Sequence, residues 1–490
     1  MVCMSERQQL NQIENIVMSY QRDYDVTDPI SIEKYSQKMI GKTFQEIIDE
    51  DIMSYTNMVA EESGYGKDLS TVHKGDFGTT IEKHFFHYEP NSISQADFPE
   101  AGVELKVTGY RKGNNNKLSA KERLSLGMIN YCEVAEETFE TSHIWNKCRL
   151  MLLVFYLYDQ EIRNKYDFRI DYSRLFTPPE QDVKIIKRDF ELIVEKIRAG
   201  KAHELSESDT LYLGAATKSA SSQNRTVQPY SDELAKPRAF SFKNSYMTYV
   251  LNNYIVPGKA TYEPIMKADA TESFEDYVVH RIEAHKGQSV QELCETYKVD
   301  TDKKPKNLEA LLAYRMLGIK GNKAEEFEKA NIAVKTIRIE KTNRIQESMS
   351  FPTFKFKELV QEEWDDSTFG NYLRETRFLF VVYKYDEHDV LRVQGCQFWN
   401  IPYADLEVEV RSVWEKAKRV LLEGLKITIV NGKNTSNLPK ASENRVSHVR
   451  PHAKDKNDTY ELPDGRSYPK QCFWLNNTYI WSQLEDKFKE

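Results

Sequence analysis

The chain has 490 residues, 40% of them hydrophobic and 12% aromatic, which is enough for two packed cores and too apolar for a disordered chain. Its 76 acidic and 68 basic residues leave a formal charge of −8, which excludes a generic polyelectrolyte binder while leaving room for a local basic surface. Six scattered cysteines without a C-x-x-C pair speak against a zinc site or a disulfide framework. The N-terminus MVCMSERQQLNQ has no apolar targeting segment, and the longest apolar run, Leu150 to Leu157, is too short to span a bilayer. These features predict a cytoplasmic protein with reduced thiols and no membrane contact.

Residues 1–30 are polar and read as an N-terminal leader. Gly41-Lys42-Thr43 lacks the earlier glycine of a phosphate-binding loop, since Ser36 stands there, so Thr43 is expected to cap a helix starting at Phe44. Thr79 to Phe86 reads as a helix carrying Glu82, with Phe85 and Phe86 packing it on a sheet. Val103 to Thr108 is the clearest strand, with Asp97 just before it across the turn-like FPEAG. Leu150 to Leu157 is a second strand, and Gln181 to Ala199 an amphipathic helix with Phe190, Ile193 and Ile197 on one face. This alternation predicts a mixed α/β (α+β) fold. Turn formers in Pro257 to Pro264 place a linker at 257–272.

A repeat runs through the chain. GKTFQEI at Gly41 recurs as GQSVQEL at Gly287, and AGVELKVT at Ala101 recurs loosely as ANIAVKTI at Ala330. An ETS before an apolar run (Glu140) is echoed by ETR (Glu375), and the amphipathic helix ending at Gly200 by one ending at Gly424, with Trp414 in the place of Phe190. Four matches in the same order, with offsets that drift only slightly, predict two copies of one domain, at 31–256 and 273–490.

The candidate chemistry lies in the first copy, at Asp97, Glu104 and Lys106. Phosphodiester hydrolysis needs a nucleophilic water, charge stabilisation at the phosphate and help for the leaving oxygen, and hard oxygen ligands holding magnesium serve all three. Glu104 and Lys106 are two apart on a strand and so share a face, while Val103, Leu105 and Val107 point to the other. Asp97 and Glu104 are expected to hold the metal, Lys106 to orient the attacking water, and Glu82 to add a third carboxylate. Three charges at this spacing also suit a merely solvated strand face, so their context between apolar residues matters. In the second copy Ala333 replaces Glu104, Glu326 stands for Asp97 and Lys335 keeps the lysine, which predicts a dead site. His448 and His452, four apart in a Pro-broken stretch, read as surface loop rather than metal ligands, and Phe398-Trp399 and Phe473-Trp474 as core.

The strings DFPEAGVELK from Asp97, NYCEVAEETFETS from Asn130, AGKAHELSE from Ala199, QPYSDELAKPRAFSFKNSYMT from Gln228, SMSFPTFKF from Ser348 and FWLNNTYI from Phe473 resemble the Sau-type GATC restriction endonucleases, relatives of the mismatch-repair nicking enzyme MutH. The resemblance covers nearly the whole chain. It implies tandem restriction-endonuclease-like (MutH-like) domains in a bacterial cytoplasmic enzyme, the second of them a pseudo-nuclease. It implies Mg2+-dependent cleavage of both strands of double-stranded DNA before the G of 5′-GATC. The family's catalytic set falls on Glu82, Asp97, Glu104 and Lys106, with Lys147 in support. DNA-reading segments fall on Tyr212 to Lys218 and Arg238 to Lys243, giving Lys218, Arg238, Ser241 and Lys243 as contacts. Ser241 replaces the tyrosine with which MutH senses adenine methylation, so cutting is expected to ignore N6-methyladenine. The second copy keeps an Arg-Pro in Val449 to His452, and five Lys/Arg face one acid between Asn431 and Lys454, making Arg450 and Lys454 further expected contacts. One working site per chain implies a monomer that pairs on DNA, with a cognate GATC methyltransferase protecting the host. The competing readings are a nickase for hemimethylated GATC and a non-catalytic GATC-binding regulator.

Overall fold

A computed structural model describes residues 23–63, 77–88, 95–113, 117–219, 221, 223–256, 262–267, 270–300, 307–430 and 433–490. The chain divides into two compact units, Met1–Ala202 with Ala215–Ala260, and His203–Gly214 with Thr261–Glu490. Both are mixed α/β, as the alternating periodicity predicts. Part of the expected linker (257–261 and 268–269) and most of the leader (1–22) lie outside the described residues.

In the first unit, helices α1 (Phe44–Ser63) and α2 (Phe77–His84) precede strands β1 (Glu104–Lys112), β2 (Leu118–Ala120) and β3 (Leu124–Met128). Then come α3 (His143–Cys148), β4 (Met151–Leu157), β5 (Ile170–Phe176), α4 (Glu180–Arg198), β6 (Leu213–Thr217, in this unit from Ala215), β7 (Arg238–Phe242) and α5 (Asn244–Val250). The main sheet has the order β2-β1-β4-β5, with β1 and β4 parallel and both outer strands antiparallel. A parallel pair needs a long crossover, and the 38 residues numbered 113–150 supply it. Strand β4 is buried from Met151 to Tyr156, which is why it reads as one continuous apolar run. Val103 and Leu105 pack with Ile81, Phe86 and Phe98 on the core side of β1. The first core begins earlier than position 31. Tyr24 is buried, its hydroxyl donates to the Phe86 carbonyl at 2.9 Å, and Asp28 caps the helix Pro29–Ser36.

The second unit contains α6 (Val290–Thr296), α7 (Glu325–Ala330), β8 (Ile332–Ile339), β9 (Met349–Phe354), α8 (Thr368–Glu375) and β10 (Arg377–Tyr385). It continues with β11 (Leu391–Trp399), α9 (Arg411–Glu423), β12 (Ser447–Pro451), β13 (Gln471–Leu475) and α10 (Asn477–Gln483). Its sheet β8-β10-β11 repeats the parallel-then-antiparallel order of β1-β4-β5, and β9-β13-β12 repeats β3-β7-β6. The likeness extends to single hydrogen bonds. Gly41 N–H donates to Ile170 O at 2.8 Å and Ile170 N–H to Lys42 O at 2.9 Å; Gly287 with Val393, and Val393 with Gln288, do the same at 2.8 and 3.0 Å. Both glycines sit in the left-handed region, at φ 91° and 84°, where a side chain is strained. Thr43 with Glu46, and Ser289 with Glu292, form matching reciprocal N-terminal caps. The irregularity between Phe155 and Tyr156 in the β4–β5 ladder recurs between Val382 and Tyr383 in β10–β11. Phe190 and Trp414 are both fully buried in their own cores.

Candidate active site

The turn before β1 builds the site. Phe98 and Val103 exchange backbone hydrogen bonds of 2.9 and 3.2 Å, closing a hairpin over Pro99 to Gly102, with Gly102 at φ 65°. The hairpin returns Asp97 alongside β1, where its Oδ2 accepts the Leu105 N–H at 2.8 Å. Glu104 and Lys106 share a strand face as their spacing requires, and Lys106 Nζ lies 2.7 Å from Glu104 Oε1. Because β4 runs parallel beside β1, with Glu104 opposite Met151, the helix leading into β4 delivers Lys147 Nζ to the same oxygen at 3.2 Å.

Glu104 is only 1% exposed, and its second oxygen, Oε2, is buried without a hydrogen-bond partner. Burial raises the Asp97 pKa above the usual carboxylate value and the neighbouring Glu104 charge adds to it; Lys106, the Leu105 N–H and Lys147 pull the other way. An unsatisfied buried carboxylate oxygen beside a desolvated carboxylate is the environment a hard divalent cation satisfies, so the residues present fit Mg2+. Glu82 lies on α2, and among the described residues no three acidic, histidine or cysteine side chains are grouped so as to hold a metal ion. The structure thus brings together Asp97, Glu104, Lys106 and Lys147. Lys147 arrives through the sheet register, which no local spacing reveals.

Residues 86–189, which hold all four, match the family model described as DNA mismatch repair enzyme MutH. The type II restriction enzyme Sau3AI of Staphylococcus aureus is 37% identical over 458 residues, covering 84% of this chain and 93% of that protein. The chain belongs to the Sau3AI family of type II restriction enzymes. It is accordingly a site-specific deoxyribonuclease with a MutH-like nuclease domain. MutH proteins of Vibrio campbellii and Vibrio parahaemolyticus are 24% and 25% identical, and cover 92% and 89% of their own lengths but only 45% and 44% of this chain. A MutH protein therefore spans about one of the two units.

The second unit of this family member lacks the Glu104 carboxylate at the matching place. Aligning Leu152, Val154 and Tyr156 with Leu379, Val381 and Tyr383 puts Met151 with Phe378, and their β-partners are Glu104 and Ala333 respectively. Lys335 remains, donates to Ser350 O at 3.2 Å, and has its pKa lowered by burial. Glu326 has taken a structural task. Its buried carboxylate accepts the backbone N–H groups of Ile265 at 2.8 Å and Met266 at 2.9 Å. Glu326→Ala strands both donors and is expected to destabilise the second unit by about 2–3 kcal/mol in urea unfolding. Glu326→Gln, which keeps an acceptor, should lose clearly less; equal losses would show that the two hydrogen bonds contribute little.

The expected DNA contacts divide by burial. Lys218 is exposed, with its Nζ 3.0 Å from Ser125 Oγ, and Arg450 and Lys454 are exposed as well. Arg450 lies 4.8 Å over the half-exposed Trp474 ring, so Trp474 faces outward while Phe473 fills the core. Arg238, Ser241 and Lys243 are instead buried, and Arg238 donates to the Ala215 carbonyl at 2.6 Å. Arg238 and Ser241 lie on β7, the central strand of its sheet, and Lys243 follows it directly. His448 is not on a surface loop. It is buried on β12, with Nδ1 2.5 Å from Asn476 Oδ1. Of the cations between Asn431 and Lys454, Arg445 is neutralised by Asp405 and Glu409. Among the described residues, no helix is long and apolar enough to cross a membrane.

Proposed function

We propose that the first unit hydrolyses both strands of double-stranded DNA before the G of 5′-GATC with Mg2+, and that the second unit binds DNA and modulates cutting. The pairing of Asp97 with a buried, half-satisfied Glu104 under two lysines carries this reading. Asp97 and Glu104 would hold the ion, with Glu82 on α2 as the expected third carboxylate. Bound Mg2+ supplies Lewis-acid stabilisation of phosphate charge and a more acidic water. Lys106 would orient the attacking water for in-line attack on phosphorus, and Lys147 would offset the charge that grows there. The new P–O bond forms as the bond to the 3′-oxygen breaks, leaving a 5′-phosphate and a 3′-hydroxyl. The exposed Lys218 contacts the duplex from the first unit, and Arg450 and Lys454 contact it from the second; Arg238, Ser241 and Lys243 support the reading strand from within.

Supercoiled plasmid provides the test. With Mg2+ it should give discrete GATC fragments, whether or not adenine is N6-methylated, and EDTA should stop the reaction. Accumulation of open circles would point to a nickase, and an untouched plasmid to a regulator. Since one chain carries one complete site, two chains pair on the palindrome, and the rate should fall more steeply than enzyme concentration on dilution.

A further inference from the structure

We infer that Arg149 is a phosphate-binding residue of the nuclease unit, gripping the DNA backbone beside the Asp97–Glu104 pair, and that Gly102 leaves the space its guanidinium occupies. The inference rests on the nuclease reading of that pair. Arg149 follows α3, directly after the segment that delivers Lys147 to Glu104. The carbonyl of the next residue, Leu150, accepts the Glu104 N–H at 3.1 Å, so Arg149 is tied closely to the start of β1. A Cβ built on Gly102 would meet Arg149 Nη2 at 3.0 Å, which places the guanidinium against the turn that carries Asp97.

Charge balance makes this arginine stand out. Lys106 and Lys147 both turn onto Glu104 Oε1, and together they offset the charges of Asp97 and Glu104. Both lysines are thus already paired with a protein carboxylate. Arg149 is exposed and forms no ion pair among the described residues. A planar guanidinium with no protein anion, at the rim of a site for a phosphodiester, suits bidentate phosphate binding.

The test is equilibrium binding to GATC and non-GATC duplexes across a salt series, with Ca2+ in place of Mg2+ to prevent cutting. Arg149→Ala should weaken both duplexes by roughly tenfold, and the slope of log K against log salt should fall by about one. Arg149→Lys should keep the slope while recovering part of the affinity, and Gly102→Ala, which displaces the guanidinium, should reproduce part of the loss. Thermal melts establish that each variant is folded; if Arg149→Ala is not, Arg149→Lys and Gly102→Ala carry the test. Unchanged affinity and slope in Arg149→Ala, even with slower cleavage, would overturn the assignment, as would a loss confined to the GATC duplex. Failure of the wild-type protein to cut GATC plasmid is a separate result, and bears on the nuclease reading alone.

Discussion

Glu104→Ala is expected to abolish cleavage of GATC duplexes, by a factor of roughly 10^3 or more, equivalent to about 4 kcal/mol of barrier. Glu104 supplies the buried oxygen that has no protein partner, and it is the common acceptor for both lysines. Removing it takes away a metal ligand and leaves Lys106 and Lys147 without the charge they face. The local formal charge rises by one, so duplex binding measured in Ca2+ should persist or strengthen. Cleavage and gel-shift assays on the same preparation separate the two effects. Continued cutting would remove Glu104 from the chemistry, whereas loss of both activities would indicate a folding defect. Glu104→Gln, which preserves shape, should behave like the alanine variant in cleavage.

Asp97→Asn is expected to do two opposite things: eliminate cleavage and stabilise the metal-free protein. The Asp97 pKa is raised in the fold, first by burial and then by the Glu104 charge. For a carboxylic acid whose folded pKa exceeds its unfolded one, folding is favoured at low pH. That advantage is lost as pH climbs from the unfolded value through the folded one. At neutral pH the ionised group therefore works against the metal-free fold. An asparagine removes the charge, and its carbonyl oxygen can still accept the Leu105 N–H. Without metal, Tm at pH 7.5 should rise by roughly 2 °C or more, the scale of a ~1 kcal/mol gain. Mg2+ should raise the wild-type Tm but not that of the variant. The same sign governs pH dependence: Mg2+ affinity should fall on acidification at a pH above that of an ordinary aspartate. A variant less stable than wild type without metal would contradict this account of Asp97.

Periodicity and repetition are written into neighbouring residues, so the sequence by itself determined much of the architecture. The E-x-K spacing put Glu104 and Lys106 on one strand face because β side chains alternate. The paired GKTFQEI and GQSVQEL segments foretold matching caps, because Thr43 and Ser289 stand three residues before a glutamate. Family resemblance, rather than spacing, singled out Lys147. Convergence of residues distant in the chain was decided only by the tertiary structure. The parallel register of β1 and β4 carries Lys147 to Glu104, and the hairpin over Pro99 to Gly102 returns Asp97. Burial was likewise settled by packing: Arg238, Ser241 and Lys243 carry polar groups, yet all three are buried in the fold. Arg149 carried no signal in the sequence, and its place beside Gly102 is set by the fold. A sequence fixes which way a side chain leaves the backbone, whereas its partner depends on which distant strand is laid alongside.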